Sequence, residues 1–212
     1  MRHRQERALK RMEGVAQRAA GQMRTALRPY TIPNGITLLR LVLVPLFALA
    51  TVEQNYLLAA VFFGLAGLSD ALDGALARWL KARSLLGSYL DPIADKLLLV
   101  TAYIVLTWPG EGMVRIPKWL TVMALSRDLL IVLVALLLYL GAGFREFRPS
   151  VLGKVTTVVH ILTVGAVIAA NLWPIKASWL SLLFYVALVL TVLSGLDYLR
   201  RAAAQVEKLH DA

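Results

Sequence analysis

Residues 57–108 read LLAAVFFGLAGLSDALDGALARWLKARSLLGSYLDPIADKLLLVTAYIVLTW. Two apolar runs, 57–77 and 89–108, flank a basic break at Lys81-Ala82-Arg83-Ser84. Each run is about 20 residues long, the length an α-helix needs to cross the hydrocarbon core of a bilayer. Four aspartates nevertheless sit in or beside these runs: Asp70, Asp73, Asp91 and Asp95. An ionised carboxylate at the centre of a membrane helix costs at least about 2.5–3.5 kcal/mol, so such residues are rare and usually functional. Asp70 and Asp73 are three positions apart, and Asp91 and Asp95 four. Each pair therefore lies on one face of its helix.

The rest of the chain extends this pattern. Of its 212 residues, 58% are hydrophobic and 17% charged, and the mean hydropathy is +0.66. A soluble domain carries roughly a quarter charged residues and about half apolar ones, so this surplus is too large for one globule to bury. Sparse charge, 14 glycines and no cysteine exclude a disordered chain, a collagen-like repeat and a disulfide scaffold. Apolar stretches predict six membrane helices, at 36–52, 57–77, 89–108, 118–141, 152–173 and 178–199. An even number places both termini on one side. The N-terminal arm, the second and fourth connections and the tail hold 17 of the 23 Lys and Arg, with Lys154 counted in the fourth connection. By the positive-inside rule both termini are cytoplasmic and the protein is a multi-pass protein of the cytoplasmic membrane. The same bias accounts for the pI near 10.2 without nucleic acid as a partner. The first apolar run begins near residue 36 and lacks a small-residue cleavage pattern, so no cleaved signal peptide is expected.

Residues 1–30 read as a separate cytoplasmic arm. Leu9, Met12, Ala16, Ala19, Met23 and Leu27 recur every three or four positions among eight Lys and Arg, the pattern of an amphipathic helix on an anionic membrane surface. Residues 31–200 form the six-helix domain and 201–212 a cytoplasmic tail.

Four carboxylates gathered at one depth would repel until some were protonated. Divalent cations compensate them, and an all-oxygen shell suits Mg²⁺ or Mn²⁺. Between the carboxylates, Gly74 and Ala77 leave room for a bulky group to approach the helix. Arg78 supplies a planar cation suited to phosphate, and Gly87 lies just before the chain re-enters the membrane. Metal ions bridging a pyrophosphate with an arginine behind it are a recurring phosphoryl-transfer arrangement.

Asp70-Ala-Leu-Asp73-Gly74-Ala-Leu-Ala77-Arg78, followed by Gly87, Asp91 and Asp95 at these spacings, resembles the CDP-alcohol phosphatidyltransferase motif at every defining position. Ile32-Pro33-Asn34 through Leu39-Arg40 is similar to the family's entry to its first span. The resemblance implies transfer of a phosphatidyl group from CDP-diacylglycerol to an alcohol, with release of CMP. It implies that Asp70, Asp73 and Asp91 hold two metal ions, with Asp95 sharing the second and acting as base on the acceptor hydroxyl. Asn34, Asp70, Gly74, Ala77, Arg78 and Gly87 would line the cytidine-diphosphate pocket, and the family implies a homodimer.

The acceptor is read from later residues. Ser126-Arg127-Asp128, Gly153-Lys154 with Thr157, and Ser194-Gly195-Leu196-Asp197-Tyr198 resemble the phosphatidylglycerophosphate synthase branch, whose acceptor is glycerol 3-phosphate. That branch commonly has Glu where Asp128 stands, Arg where Ala135 stands and Gln where His160 stands. Ser-Arg-Asp, Arg83-Ser84 and Pro149-Ser150 are similar to the cardiolipin synthases of the superfamily, whose acceptor is phosphatidylglycerol. Glycerol 3-phosphate is the expected acceptor and phosphatidylglycerol the alternative. Arg127, Lys154, Arg145 and Arg148 are the cations expected to meet an acceptor's phosphate, with an internal Arg127–Asp128 pair as the competing reading.

A cation or proton transporter is a more remote alternative, since intramembrane aspartates also mark ion paths. The acidic groups cluster toward one side, however, and the last two spans carry almost no ionisable residue to complete a route. Lys96 and Arg40 are expected to snorkel to the surface. His160 is expected to bond a neighbouring helix, and Trp79, Trp108, Trp119, Trp173 and Trp179 to anchor span ends at the interface.

Overall fold

The computed structural model describes residues 32–80, 85–142, 150–173 and 177–210. Among these residues all regular secondary structure is helical. The elements are α1 (Ile32–Val52), α2 (Tyr56–Leu80), α3 (Leu85–Thr107), α4 (Lys118–Ala142), α5 (Val151–Leu172) and α6 (Leu180–His210), with a 3-10 turn at Ala177–Trp179 leading into α6. The arm 1–30, Arg145 and Arg148 lie outside the described residues.

Among the described residues three stretches are each long and apolar enough to cross a membrane: Lys118–Leu138, Val151–Leu172 and Leu180–Ala204. Shorter apolar helical stretches run over Thr37–Val52 and Tyr56–Ser69. The helices display their apolar residues outward. On α4, Leu129, Leu133, Leu136, Leu137 and Leu140 are each at least half exposed, an apolar surface that water would not tolerate and lipid accepts. Trp108, Trp119, Trp173 and Trp179 are exposed at or beside helix ends, where ring anchors belong. The last helix extends well past residue 199. Arg and Ala are good helix formers, and Arg201 donates to Asp197 at 2.9 Å, four residues back along the same face, so the helical backbone continues into the tail.

The chain divides into two compact units. The first comprises the chain up to Val44 and residues 64–97, so it holds the start of α1, the end of α2 and the start of α3. Its described interior is Leu43, Val44, Ala66 and Ala94, with the polar Thr37, Arg40 and Ser69 also buried. The division within α1 falls at Pro45, which has no N–H to give to the carbonyl of Leu41.

The second unit holds residues 45–63 and 98–212. Within it α4 and α5 both pack against α6. Val164, Val167 and Ile168 of α5 and Phe184 and Ala187 of α6 are buried. The α3–α4 connection is tied down from both sides. Ile116 N–H donates to the Leu106 carbonyl at 2.9 Å. The Asn171 side chain accepts from Val114 N–H at 2.7 Å and donates to the Val114 carbonyl at 2.8 Å. At Gly110 an added Cβ would fall 1.7 Å from the Gln54 amide nitrogen, so a larger residue there would require the Gln54 side chain to move.

Candidate functional site

The backbone gives the aspartate motif the helical setting its spacing requires. Asp70, Asp73, Gly74, Ala77 and Arg78 lie on α2, and Gly87, Asp91 and Asp95 on α3. Asn34 stands in the first turn of α1. Of these side chains only that of Asp95 is among those described. The residue types present, two carboxylates on each of two helices, would offer only oxygen donors, chemistry suited to Mg²⁺ or Mn²⁺ rather than to a soft metal. Among the described residues no three His, Cys, Asp or Glu side chains come together.

Asp95 is held by an arginine. Arg40 Nη1 donates to Asp95 Oδ1 at 2.6 Å, with the Arg40 side chain 1% exposed and that of Asp95 44% exposed. Arg40 Nε also reaches Ser69 Oγ at 3.4 Å, and Ser69 Oγ donates to the Ala66 carbonyl at 2.7 Å. The expected snorkelling of Arg40 does not occur: a carboxylate on a neighbouring helix offers its guanidinium a partner inside the bundle. Lys96, without such an arrangement, is exposed.

The second polar site is built in the other unit, from α4, α5 and α6. Arg127 Nη1 donates to Asp128 Oδ1 at 2.8 Å and Nη2 to Ser194 Oγ at 2.6 Å, while its buried Nε has no partner among the described residues. A cavity of about 230 Å³ lies beside it, lined among others by Ser150, Gly153, Lys154, Ser194 and Tyr198. Ser150 caps α5 by accepting from Gly153 N–H at 2.9 Å. Gly153 sits so close that an added Cβ would lie 3.3 Å from Arg127 Nη2. A smaller cavity of about 40 Å³, on which Arg127, Asp128, Tyr103, Thr157 and His160 border, has room for one or two waters. His160 bonds Tyr103 through Nδ1 and Thr191 through Nε2, the interhelical role expected of it.

Arg127 and Lys154 thus border one cavity, and the Arg127–Asp128 pair is present as well. Sequence reasoning did not single out Arg40 as a partner of Asp95, nor Ser194 as a partner of Arg127. One signal was available for each. Thr37 and Arg40 are three apart on an apolar helix and both are buried, and Ser194 and Tyr198 are four apart on α6, both facing the cavity.

A family profile for CDP-alcohol phosphatidyltransferases matches residues 30–193. The chain belongs to this family. Its relatives within the family include the human cardiolipin synthase (CMP-forming), 33% identical over 86% of this chain and 65% of the relative. A probable phosphatidylglycerophosphate synthase of Mycobacterium tuberculosis is 32% identical over 90% of both chains. The CDP-diacylglycerol–glycerol-3-phosphate 3-phosphatidyltransferase of Bacillus subtilis is 30% identical over 80% of this chain and 93% of the relative. The chain thus spans slightly under two thirds of the human relative's length and nearly all of the two bacterial ones.

Proposed function

We propose that this phosphatidyltransferase family member moves a phosphatidyl group from CDP-diacylglycerol to a hydroxyl of a glycerol-type acceptor and releases CMP. The observation that carries the reading is the complete aspartate motif set on two helices, within a chain that the family profile matches over residues 30–193. Asp70, Asp73 and Asp91, with Asp95 sharing, would hold two Mg²⁺ or Mn²⁺ ions, which when bound stabilise charge on the pyrophosphate. Asn34, Gly74, Ala77, Arg78 and Gly87 line the cytidine-diphosphate pocket. Asp95 takes the acceptor's hydroxyl proton. The freed oxygen forms its bond to the phosphorus that carries the diacylglycerol, and the bond from that phosphorus to the CMP oxygen breaks. A positioned base of this kind supplies about 10²–10⁴-fold.

Arg127 and Lys154 bind the acceptor's phosphate, and Arg145 and Arg148 steer it. The cavity that Arg127 and Lys154 both line supports this role, because charge-assisted bonds to phosphate are the strong ones. Glycerol 3-phosphate is the acceptor we favour, supported by the two bacterial relatives matched over 90% and 93% of their own length. Phosphatidylglycerol is the second reading, favoured by the 33% identity to a cardiolipin synthase and by Asp128 and Ala135. We further propose six spans, residues 31–200 as the catalytic domain, both termini cytoplasmic, the arm 1–30 lying on the inner membrane surface and a homodimer. Purified protein given CDP-diacylglycerol, Mn²⁺ and either acceptor tests this. Phosphatidylglycerophosphate as product supports the first reading, and cardiolipin the second. With neither lipid product and no CMP, the proposal fails.

A further inference from the structure

Arg40 is the largest side chain in the described interior to be fully buried. It sits on a helix whose outward residues Leu38, Leu39, Val42 and Leu46 are exposed apolar groups. A guanidinium there is costly unless paired, and an ion pair sealed in an interior is weak evidence for stability, since apolar residues of similar volume serve as well or better. The pair's asymmetry points to another use. Arg40 is 1% exposed while Asp95 keeps 44% of its side chain open, so the cation is sealed and the carboxylate is presented.

The anchoring is specific. Nη1 holds one named oxygen of Asp95 at 2.6 Å, and Nε leans on Ser69 Oγ at 3.4 Å, which the Ala66 carbonyl keeps in one rotamer. Thr37, one turn earlier on α1, is 0% exposed, so the polar face of this helix is packed on both turns. A guanidinium is a rigid fork with little freedom to follow a moving partner. A carboxylate bonded to it at one oxygen is restrained at that oxygen.

We propose that Arg40 is a positioning residue for the transfer reaction, holding Asp95 through Oδ1 so that the carboxylate is oriented toward the acceptor's hydroxyl proton. The inference rests on Asp95 as the base of the proposed reaction. The step it assists is proton transfer from the acceptor O–H to the Asp95 carboxylate as the new phosphorus–oxygen bond forms. Arg40 neither gives nor takes a proton.

The test uses Arg40→Gln, Arg40→Lys, Asp95→Asn and the double variant Arg40→Gln with Asp95→Asn. Each is purified in detergent, its melting temperature recorded, and kcat and both KM values measured with CDP-diacylglycerol and the active acceptor. A misplaced catalytic group costs up to about 10²-fold, so Arg40→Gln is expected to lower kcat about 10- to 100-fold with the KM for CDP-diacylglycerol unchanged. Arg40→Lys, which keeps the charge, should recover part of that loss. In the Asp95→Asn background, Arg40→Gln should cost nothing further, because the group it positions is already gone. An equal kcat loss in both backgrounds, or a large fall in melting temperature with wild-type kcat in the folded fraction, overturns the proposal and leaves a structural pair. Where Arg40→Gln does not fold, Arg40→Lys decides: wild-type kcat with a displaced Asp95 geometry overturns it, and a reduced kcat abolished as a difference in the Asp95→Asn background supports it. Wild-type kcat in Asp95→Asn alone shows instead that the base assignment has failed, which is distinguishable from failure of the positioning role.

Discussion

Arg40 on α1 and Arg127 on α4 are the same residue type on two apolar helices, and their surroundings differ. Arg40 is 1% exposed and grips a carboxylate on another helix. Arg127 is 15% exposed, pairs with Asp128, the residue next to it, and lines a cavity of about 230 Å³. A guanidinium has five donors in a fixed fork. Where the protein uses them against its own carboxylate, as at Arg40, the residue shapes another group. Where the side chain lines open volume that a second cation also borders, as at Arg127, the residue is suited to a ligand. The type of residue and its burial in an apolar helix are common to both, so neither alone assigns a role. The partner and the neighbouring space do.

The comparison breaks most sharply at the carboxylates. If Arg40 serves a member of a catalytic set, the rest of that set must be indispensable. Asn at Asp70, Asp73 or Asp91 is expected to abolish turnover and weaken Mn²⁺ binding, measured by titration of the purified protein. Excess EDTA should abolish wild-type turnover, and activity surviving in it would remove the metal reading and with it the distinction between the two arginines. Next in size is Asp95→Asn, expected to lose about 10²-fold or more in transfer rate, the lower end for a general base. Its affinity for CDP-diacylglycerol should fall less than that of Asp73→Asn. Equal falls would make Asp95 chiefly a metal ligand.

The Arg127 side of the comparison is sharpened by KM values. A hydrogen bond to a charged group is worth about 1.5–3 kcal/mol, so Arg127→Gln and Lys154→Gln are each expected to raise the acceptor KM about 10- to 100-fold. The KM for CDP-diacylglycerol should stay nearly constant. Arg145→Gln should act more weakly, with an effect that fades as salt rises. If the Arg127–Asp128 pair serves the bundle alone, Arg127→Gln will instead lower the melting temperature and leave both KM values as they were.

Much of this was legible in the sequence, and the rest was not, for physical reasons. Helix positions follow from long apolar runs separated by Glu53-Gln54-Asn55, Lys81–Ser84, Pro109-Gly110-Glu111, Arg145–Pro149 and Pro174, and the observed helices fall between these breaks. The aspartate spacings of three and four need only a helical period, which is local. Partner choice is not local. Arg40 and Asp95 are 55 residues apart and Arg127 and Ser194 are 67 apart, and hydropathy says nothing about which face of one helix meets which residue of another. The rule that basic side chains snorkel describes a lone helix in lipid, so it fails for Arg40, which finds a carboxylate inside the bundle. His160 was the easier case, because a neutral polar ring in an apolar span has few alternatives to an interhelical bond, and it bonds both Tyr103 and Thr191.

The smallest expected effect concerns Gly153, and it tests how tightly Arg127 is placed. An alanine Cβ there would lie 3.3 Å from Arg127 Nη2 and 3.2 Å from Ser150 Oγ, closer than comfortable van der Waals contact, so one neighbour must give way. Arg127 is tethered at 2.8 Å to Asp128 and 2.6 Å to Ser194, and it can retreat only by lengthening one of those bonds. Ser150 can retreat only by loosening the cap on α5, where loss of a capping side chain costs about 0.5–2 kcal/mol. The two responses are separable. If the guanidinium moves, Gly153→Ala raises the acceptor KM a few-fold, and the same change in a protein already carrying Arg127→Gln has no further effect on it. If the serine moves, Gly153→Ala lowers the melting temperature in step with Ser150→Ala and leaves the acceptor KM unchanged. We expect the first outcome. Arg127 is bonded through side chains alone, whereas Ser150 is held by its own helix's first turn through the Gly153 N–H, and a long side chain yields before a capped backbone does.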